Sequence, residues 1–146
     1  MNKLISFVKQ FTKQEVEEVN STERIGRKYF YITPELKELK DNISLEPYSE
    51  GLPMGELKNN RFMPSIALLD ILAKYSDRKI FINKKGETMF LYGKEVFAEN
   101  FEKSRVEEGA CLVLNDKAEV LGYGALSKRK DIKNLLDRGD FLRRES

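Results

Sequence analysis

Gly109-Ala110-Cys111-Leu112-Val113-Leu114-Asn115-Asp116-Lys117-Ala118-Glu119-Val120-Leu121-Gly122-Tyr123-Gly124-Ala125 is the stretch whose reading decides the fold class of this chain. Two apolar runs flank a turn-forming Asn-Asp-Lys, so the residues predict neighbouring strands over 110–114 and 119–125. Upstream, Lys79-Ile80-Phe81-Ile82 has the two-residue period of a strand. A turn is expected at 83–86, with Thr88-Met89-Phe90-Leu91-Tyr92 as the second arm of a hairpin. Gly93 follows, and Val96, Phe97, Asn100 and Phe101 predict a short helix. Phe141-Leu142-Arg143 is expected to close the sheet. Short strands with frequent turn signals and one helix favour a small barrel-like β domain here.

Working back towards the N-terminus, Leu4, Phe7, Val8 and Phe11 fall on one helical stripe and predict a helix over residues 3–14. Thr12-Lys13-Gln14-Glu15 has the form of a capping box, which allows a second short helix. Residues 27–32 are aromatic and β-branched and read as a strand. Thr33, Pro34 and Glu35 suit the first turn of a helix carrying Leu36 and Leu39 and ending near Asn42. Residues 46–60 hold Pro47, Gly51, Pro53 and Gly55 and read as loop, with a short edge strand over 52–57. Arg61-Phe62-Met63-Pro64 leads into the clearest helix, Ser65 to Tyr75, apolar on more than one face and expected to act as the hinge between two halves.

The chain of 146 residues is long enough for one domain or two small ones, and with 40% hydrophobic and 34% charged residues it falls in the soluble globular class. It has no histidine, which removes the usual neutral-pH general base and excludes Ser-His-Asp and Cys-His mechanisms. Cys111 stands alone in an apolar run and reads as a core thiol. No apolar run approaches the ~20 residues of a membrane span, and Lys9 and Lys13 interrupt the N-terminal segment too soon for a signal peptide, so the cytosol is the expected compartment. The acidic groups Glu107-Glu108 and Glu15-Glu17-Glu18 have no convergent partner and read as solvated. No catalytic residue, metal site, cofactor or small-molecule substrate is expected.

The net charge of +2 does not by itself point to nucleic acid. Its distribution points to an anionic partner. Residues 1–76 carry 11 basic and 11 acidic groups, whereas residues 126–146 carry 7 basic and 4 acidic, so the excess collects at the C-terminal end. There Lys128-Arg129-Lys130 with Lys133 offers the clustered cations that phosphate neutralisation requires. Gly122-Tyr123-Gly124 lacks the third glycine of a dinucleotide-binding fingerprint and marks a bulge or a close approach of another backbone, either protein or RNA. Tyr92 and Tyr123 would stack on unpaired bases if exposed, and would otherwise pack in the core.

The residues from Arg61 to Leu72, then Lys79-Ile80-Phe81-Ile82, Phe90-Leu91-Tyr92-Gly93-Lys94-Glu95-Val96, Leu121-Gly122-Tyr123-Gly124-Ala125 and Arg138-Gly139-Asp140-Phe141-Leu142-Arg143-Arg144-Glu145 resemble the Nip-seven family of ribosome-biogenesis proteins. The composition suggests an archaeal member. The resemblance implies an α+β protein: residues 1–76 as an N-terminal α/β domain with a mostly antiparallel sheet, residues 77–146 as a PUA domain, a small β pseudo-barrel with a short helix. It implies a non-enzymatic RNA-binding factor in maturation of the large ribosomal subunit, with precursor rRNA and assembly proteins as partners and no membrane association. Carried onto this chain, the RNA surface would use a short helix beginning near Lys94, the strand with Gly122, Tyr123 and Gly124, and Lys128, Arg129, Lys130 and Lys133. Residues 131–138 are shortened relative to the family, so one barrel strand is expected to be missing, with 131–136 as a helical turn. A protein-interaction scaffold and an accessory subunit of an RNA-modifying complex are the alternative readings, and in a eukaryote the compartment would be nucleolar.

Overall fold

A computed structural model describes residues 2–33, 35 and 51–139. The chain forms two units, Met1–Leu72 and Ala73–Ser146. The expected helix after Thr33 and the expected closing strand at 141–143 lie outside the described residues.

In the first unit the apolar stripe folds as expected, but the helix carrying it, α1 (Asn2–Lys9), is shorter than its pattern. Thr12 accounts for part of this: its hydroxyl accepts the Gln14 backbone N–H at 3.1 Å, offering the chain a local alternative to continued helix. Leu4, Phe7, Val8 and Phe11 are nevertheless all buried. A single-turn helix, α2 (Glu17–Asn20), follows with Val16 at its N-cap and no side-chain cap, so the capping box at 12–15 does not open it.

Strands β1 (Thr22–Ile25), β2 (Lys28–Tyr31), β3 (Leu52–Lys58) and β4 (Arg61–Pro64) form an antiparallel meander in that order. Two expectations are corrected here. Residues 52–57 belong to an interior strand, and Arg61–Pro64 is itself a strand. The reason is a tight turn: Asn59 and Asn60 both adopt positive φ, which reverses the chain between β3 and β4. Pro53, lacking an N–H, is accommodated where the β2–β3 register shifts. Phe62 packs against Phe7 and, edge to face, against Tyr29, with centroids 5.4 Å apart in both pairs.

The helix α3 spans Ile66–Leu72, stopping short of Tyr75. Ser65 caps it, accepting the Leu68 N–H at 3.1 Å while donating to the Pro53 carbonyl at 2.8 Å, which ties the helix start to β3. The helix packs against β3, and its last residue is the boundary between the two units.

The second unit holds β5 (Lys79–Ile82), α4 (Lys84–Leu91), β6 (Val96–Phe97), a 3-10 turn at Ala98–Asn100, β7 (Phe101–Ser104), β8 (Gly109–Leu114), β9 (Val120–Leu126) and β10 (Asp131–Asp137). The sheet runs β6-β10-β9-β8-β5-β7, with β5 and β8 parallel and the other pairs antiparallel. One 3-10 turn joins its two end strands, so the sheet curls towards a barrel. Inside lie Ile80, Ile82, Phe90, Val96, Cys111, Val113, Leu121, Leu126 and Ile132.

Strands β8 and β9 match the reading of the sequence. Residues 84–91 do not: they form a helix where the second arm of a hairpin was expected. Asn83 caps it, its Oδ1 accepting the Gly86 N–H at 2.8 Å. Gly93, at φ +81°, ends it with paired bonds from Gly93 N to Phe90 O and from Lys94 N to Met89 O. The helix expected over 96–101 is instead β6, the 3-10 turn and the start of β7. Residues 131–136, expected as a helical turn, are a strand, so the barrel keeps that member.

Candidate nucleic-acid interface

The pair β9–β10 organises the candidate site. Gly122 and Gly124 are buried, and the close backbone that their spacing implies is β10 of this same chain. A Cβ on Gly122 would lie 1.9 Å from the Leu136 carbonyl oxygen, and one on Gly124 2.3 Å from that of Lys133. Glycine there is a condition for pairing the strands. Tyr123 between them is half-buried, and burial raises its hydroxyl pKa.

At the open end of the same hairpin, residues 127–130 make a turn whose geometry is set by Ser127. Its hydroxyl accepts the N–H groups of Arg129 and Asp131, each at 3.2 Å, while Lys130 N bonds to Ser127 O at 3.0 Å. Lys130 takes φ +68°, uncommon for a side-chain-bearing residue, and its ammonium donates to the Glu107 carbonyl at 2.7 Å. Lys128, Arg129 and Lys130 are exposed on this turn, and Lys133 is exposed on β10. Among the described residues the charged ends of Lys128, Arg129 and Lys133 have neither ion pair nor hydrogen bond, so they are available to an anion.

Lys94 follows α4 instead of starting a helix. Val96 pairs with Ile132 and Phe97 with Asp131, so the chain entering β6 runs beside β10. Asn134 on β10 reinforces the contact by donating to the Phe90 carbonyl at the helix end, at 2.7 Å. Lys94 and Lys133 thus lie along one edge of the sheet. Three exposed apolar side chains share that edge and the helix end beside it: Tyr92 is 71% exposed, Phe97 43% and Leu135 42%. Leu135 sits at the register shift in β10, where a bulge turns it outward. Phe97 was hidden from sequence reasoning by the expected helix; its placement beside the strand that carries Lys133 needed the β6–β10 pairing. The C-terminal arginines 143 and 144 lie outside the described residues.

Cys111 is fully buried and its thiol donates to the Gly124 carbonyl at 3.6 Å. Burial pushes its pKa up to about 12, partly offset by the Gly124 backbone and by the charge of Arg78, so the thiol is not a nucleophile at neutral pH. Among the described residues no group of three or more acidic, Cys or His side chains is placed to hold a metal ion, and no helix is long and apolar enough to cross a membrane. Glu107 and Glu108 are exposed, and Glu108 meets Arg78 only through its backbone carbonyl.

A curled six-stranded sheet with one capped helix and a glycine-bearing hairpin defines a PUA-domain protein, a class associated with RNA binding. Residues 78–146 match the family described as the UPF0113 PUA domain. The chain is 31% identical over 114 residues to a UPF0113 protein of Archaeoglobus fulgidus, covering 69% of this chain and 65% of that one. It is 31% identical over 124 residues to a UPF0113 protein of Aeropyrum pernix, covering 81% and 70%. The chain therefore belongs to the UPF0113 family, although it spans slightly less than two thirds of the Archaeoglobus protein. Two solved structures share the fold: a conserved PUA domain protein from Thermoplasma acidophilum (TM-score 0.58, 15% identity, 99% of this chain and 92% of that one) and a hypothetical protein from Pyrococcus horikoshii (TM-score 0.57, 15% identity, 99% and 96%).

Proposed function

We propose that this protein is a non-catalytic RNA-binding factor of the Nip-seven type, acting in the cytoplasm on precursor rRNA during large-subunit assembly, with the first unit engaging an assembly protein or a second RNA segment. One observation carries the reading: the Ser127-centred turn displays Lys128 and Arg129 with nothing pairing their charges among the described residues, and Lys133 continues the display along β10. Exposed cations on a rigid scaffold suit phosphate docking, since little side-chain pairing has to be broken before binding. Tyr92 and Phe97 add exposed rings on which unpaired bases can stack.

The test is titration of a short uridine-rich single-stranded RNA at several salt concentrations. The native protein should bind with affinity falling steeply in salt. Lys128→Glu/Arg129→Glu/Lys133→Glu should remain folded and lose binding, with three phosphate contacts at ~0.7 each accounting for about 2 in the slope of log K against log salt. Equal binding by both proteins would reduce the cluster to a solvated surface, and absence of binding by the native protein at low salt would favour the scaffold reading.

A further inference from the structure

We propose that the outer face of β5 and β7 is a second contact for single-stranded RNA, taking phosphates on Lys79, Lys103 and Arg105 and a base on Phe81; it rests on the RNA-binding reading above. The strand period places these groups together. Ile80 and Ile82 point into the core, so Lys79 and Phe81 face outward. Lys103 stands directly opposite Phe81 in the β5–β7 register, and Arg105 continues the same face beside Lys79. With Asp77 these side chains line a cavity of about 200 Å³.

The chemistry of the cavity is that of a nucleotide site. Three cations meet one lining carboxylate, and among the described residues the charged ends of Lys79, Lys103 and Arg105 have neither ion pair nor hydrogen bond. The Lys103 ammonium lies 6.0 Å from the Phe81 ring centroid, a cation beside an aromatic surface that is only half-covered. Glu102, the acidic group of β7, is exposed at the register shift between β5 and β7 and is not among the residues that line the cavity. A lysine on an edge strand also discourages edge-to-edge pairing, but that purpose calls for neither the aromatic floor nor the second and third cations.

Position ties this face to the hairpin turn. Lys79 is level with Leu112, and Gly109 pairs with Leu126, so the start of β5, the start of β8 and the turn at 127–130 lie towards one end of the sheet. The segment following Arg105 is fastened to that turn by the bond from Lys130 to the Glu107 carbonyl. A strand of RNA docked at Lys128 and Arg129 can run along this segment to reach Arg105.

The experiment uses the full chain and uridine-rich RNAs of about 4 and about 12 nucleotides, lengths within the range that single modules cover. Lys79→Ala/Lys103→Ala/Arg105→Ala should weaken binding of the longer RNA roughly tenfold, lower its salt slope by about 1–2, and leave the shorter RNA nearly unaffected. Phe81→Leu should weaken the longer RNA a few-fold without changing the slope, since stacking releases no counterions. Arg105→Ala alone, outside any strand, serves if the triple variant loses stability, with a smaller change in the same direction. Native affinity and slope in these variants, while the hairpin-turn variant loses binding, would overturn this inference and leave the RNA reading intact. Absence of binding by the native protein at low salt would overturn both.

Discussion

The two ends of the β9–β10 hairpin are separated by only a few residues and obey opposite rules. At one end Gly122 and Gly124 carry no side chain because the β10 backbone occupies the space, with carbonyl oxygens 1.9 and 2.3 Å from where a Cβ would stand. At the other, residues 127–130 are exposed, and among the described residues the charged ends of Lys128 and Arg129 have neither ion pair nor hydrogen bond. The first end is constrained by steric exclusion and answers to folding; the second is held by backbone hydrogen bonds to Ser127 and by Lys130 on the Glu107 carbonyl, and leaves the charges of Lys128 and Arg129 to a partner. Adjacent motifs therefore need not share a role, even where both belong to a surface expected from resemblance.

The largest effect that can break this contrast is Gly122→Ala. A methyl group against the Leu136 carbonyl should separate the strands and destabilise the protein by about 3 kcal/mol or more, read as a large fall in Tm, whereas Arg129→Glu should shift stability by no more than ~0.5 kcal/mol. Native-like stability of the alanine variant would show that β10 can withdraw and that the glycines are not a condition of pairing. Next comes the Lys128→Glu/Arg129→Glu/Lys133→Glu variant, for which we expect roughly 100-fold weaker RNA binding at low salt and a nearly unchanged circular dichroism spectrum.

Asn115 sharpens the contrast at the neighbouring β8–β9 turn. It is buried, donating from Nδ2 to Glu87 at 3.1 Å and Glu119 at 2.9 Å, and accepting on Oδ1 from the N–H groups of Lys117 and Glu119. Asn115→Ala should cost about 1–3 kcal/mol in denaturant unfolding with RNA affinity preserved, in contrast to the basic turn. The smallest effect concerns Cys111. Burial raises its pKa to about 12 in the folded chain, above the unfolded value of roughly 8.5. The unfolded chain therefore releases the proton first, and the thiol's contribution to stability, complete below about pH 8.5, declines as pH rises towards 12. Cys111→Ala should abolish that component of the alkaline decline, and alkylation of the native thiol should proceed only as fast as the protein unfolds.

Legibility followed how local the cause was. Strands β8 and β9 were readable because their apolar runs meet at a turn signal within a few residues. Thr88 to Tyr92 misled: β-branched and aromatic types suggested a strand, yet the Asn83 cap and the Gly93 stop, ten residues apart, bracket a helix of ordinary length, and those two residues were the available signal. Asp131–Asp137 was unreadable as a strand from its own composition, since Lys133 and Asn134 interrupt any apolar alternation. It pairs because β9 admits its backbone on one side and Val96 and Phe97 meet it on the other.

By itself the sequence determined the α+β character, the absence of histidine chemistry, the buried thiol at Cys111 and the concentration of cations after β9, because composition and short-range periodicity carry those properties. Only the tertiary structure decided which backbone lies on Gly122 and Gly124, and that Lys94, Phe97 and Lys133 share one sheet edge. It also decided that Phe81 faces Lys103 on another. Each depends on register between distant segments, which is set by packing around a common core and by strand pairing that no local window contains.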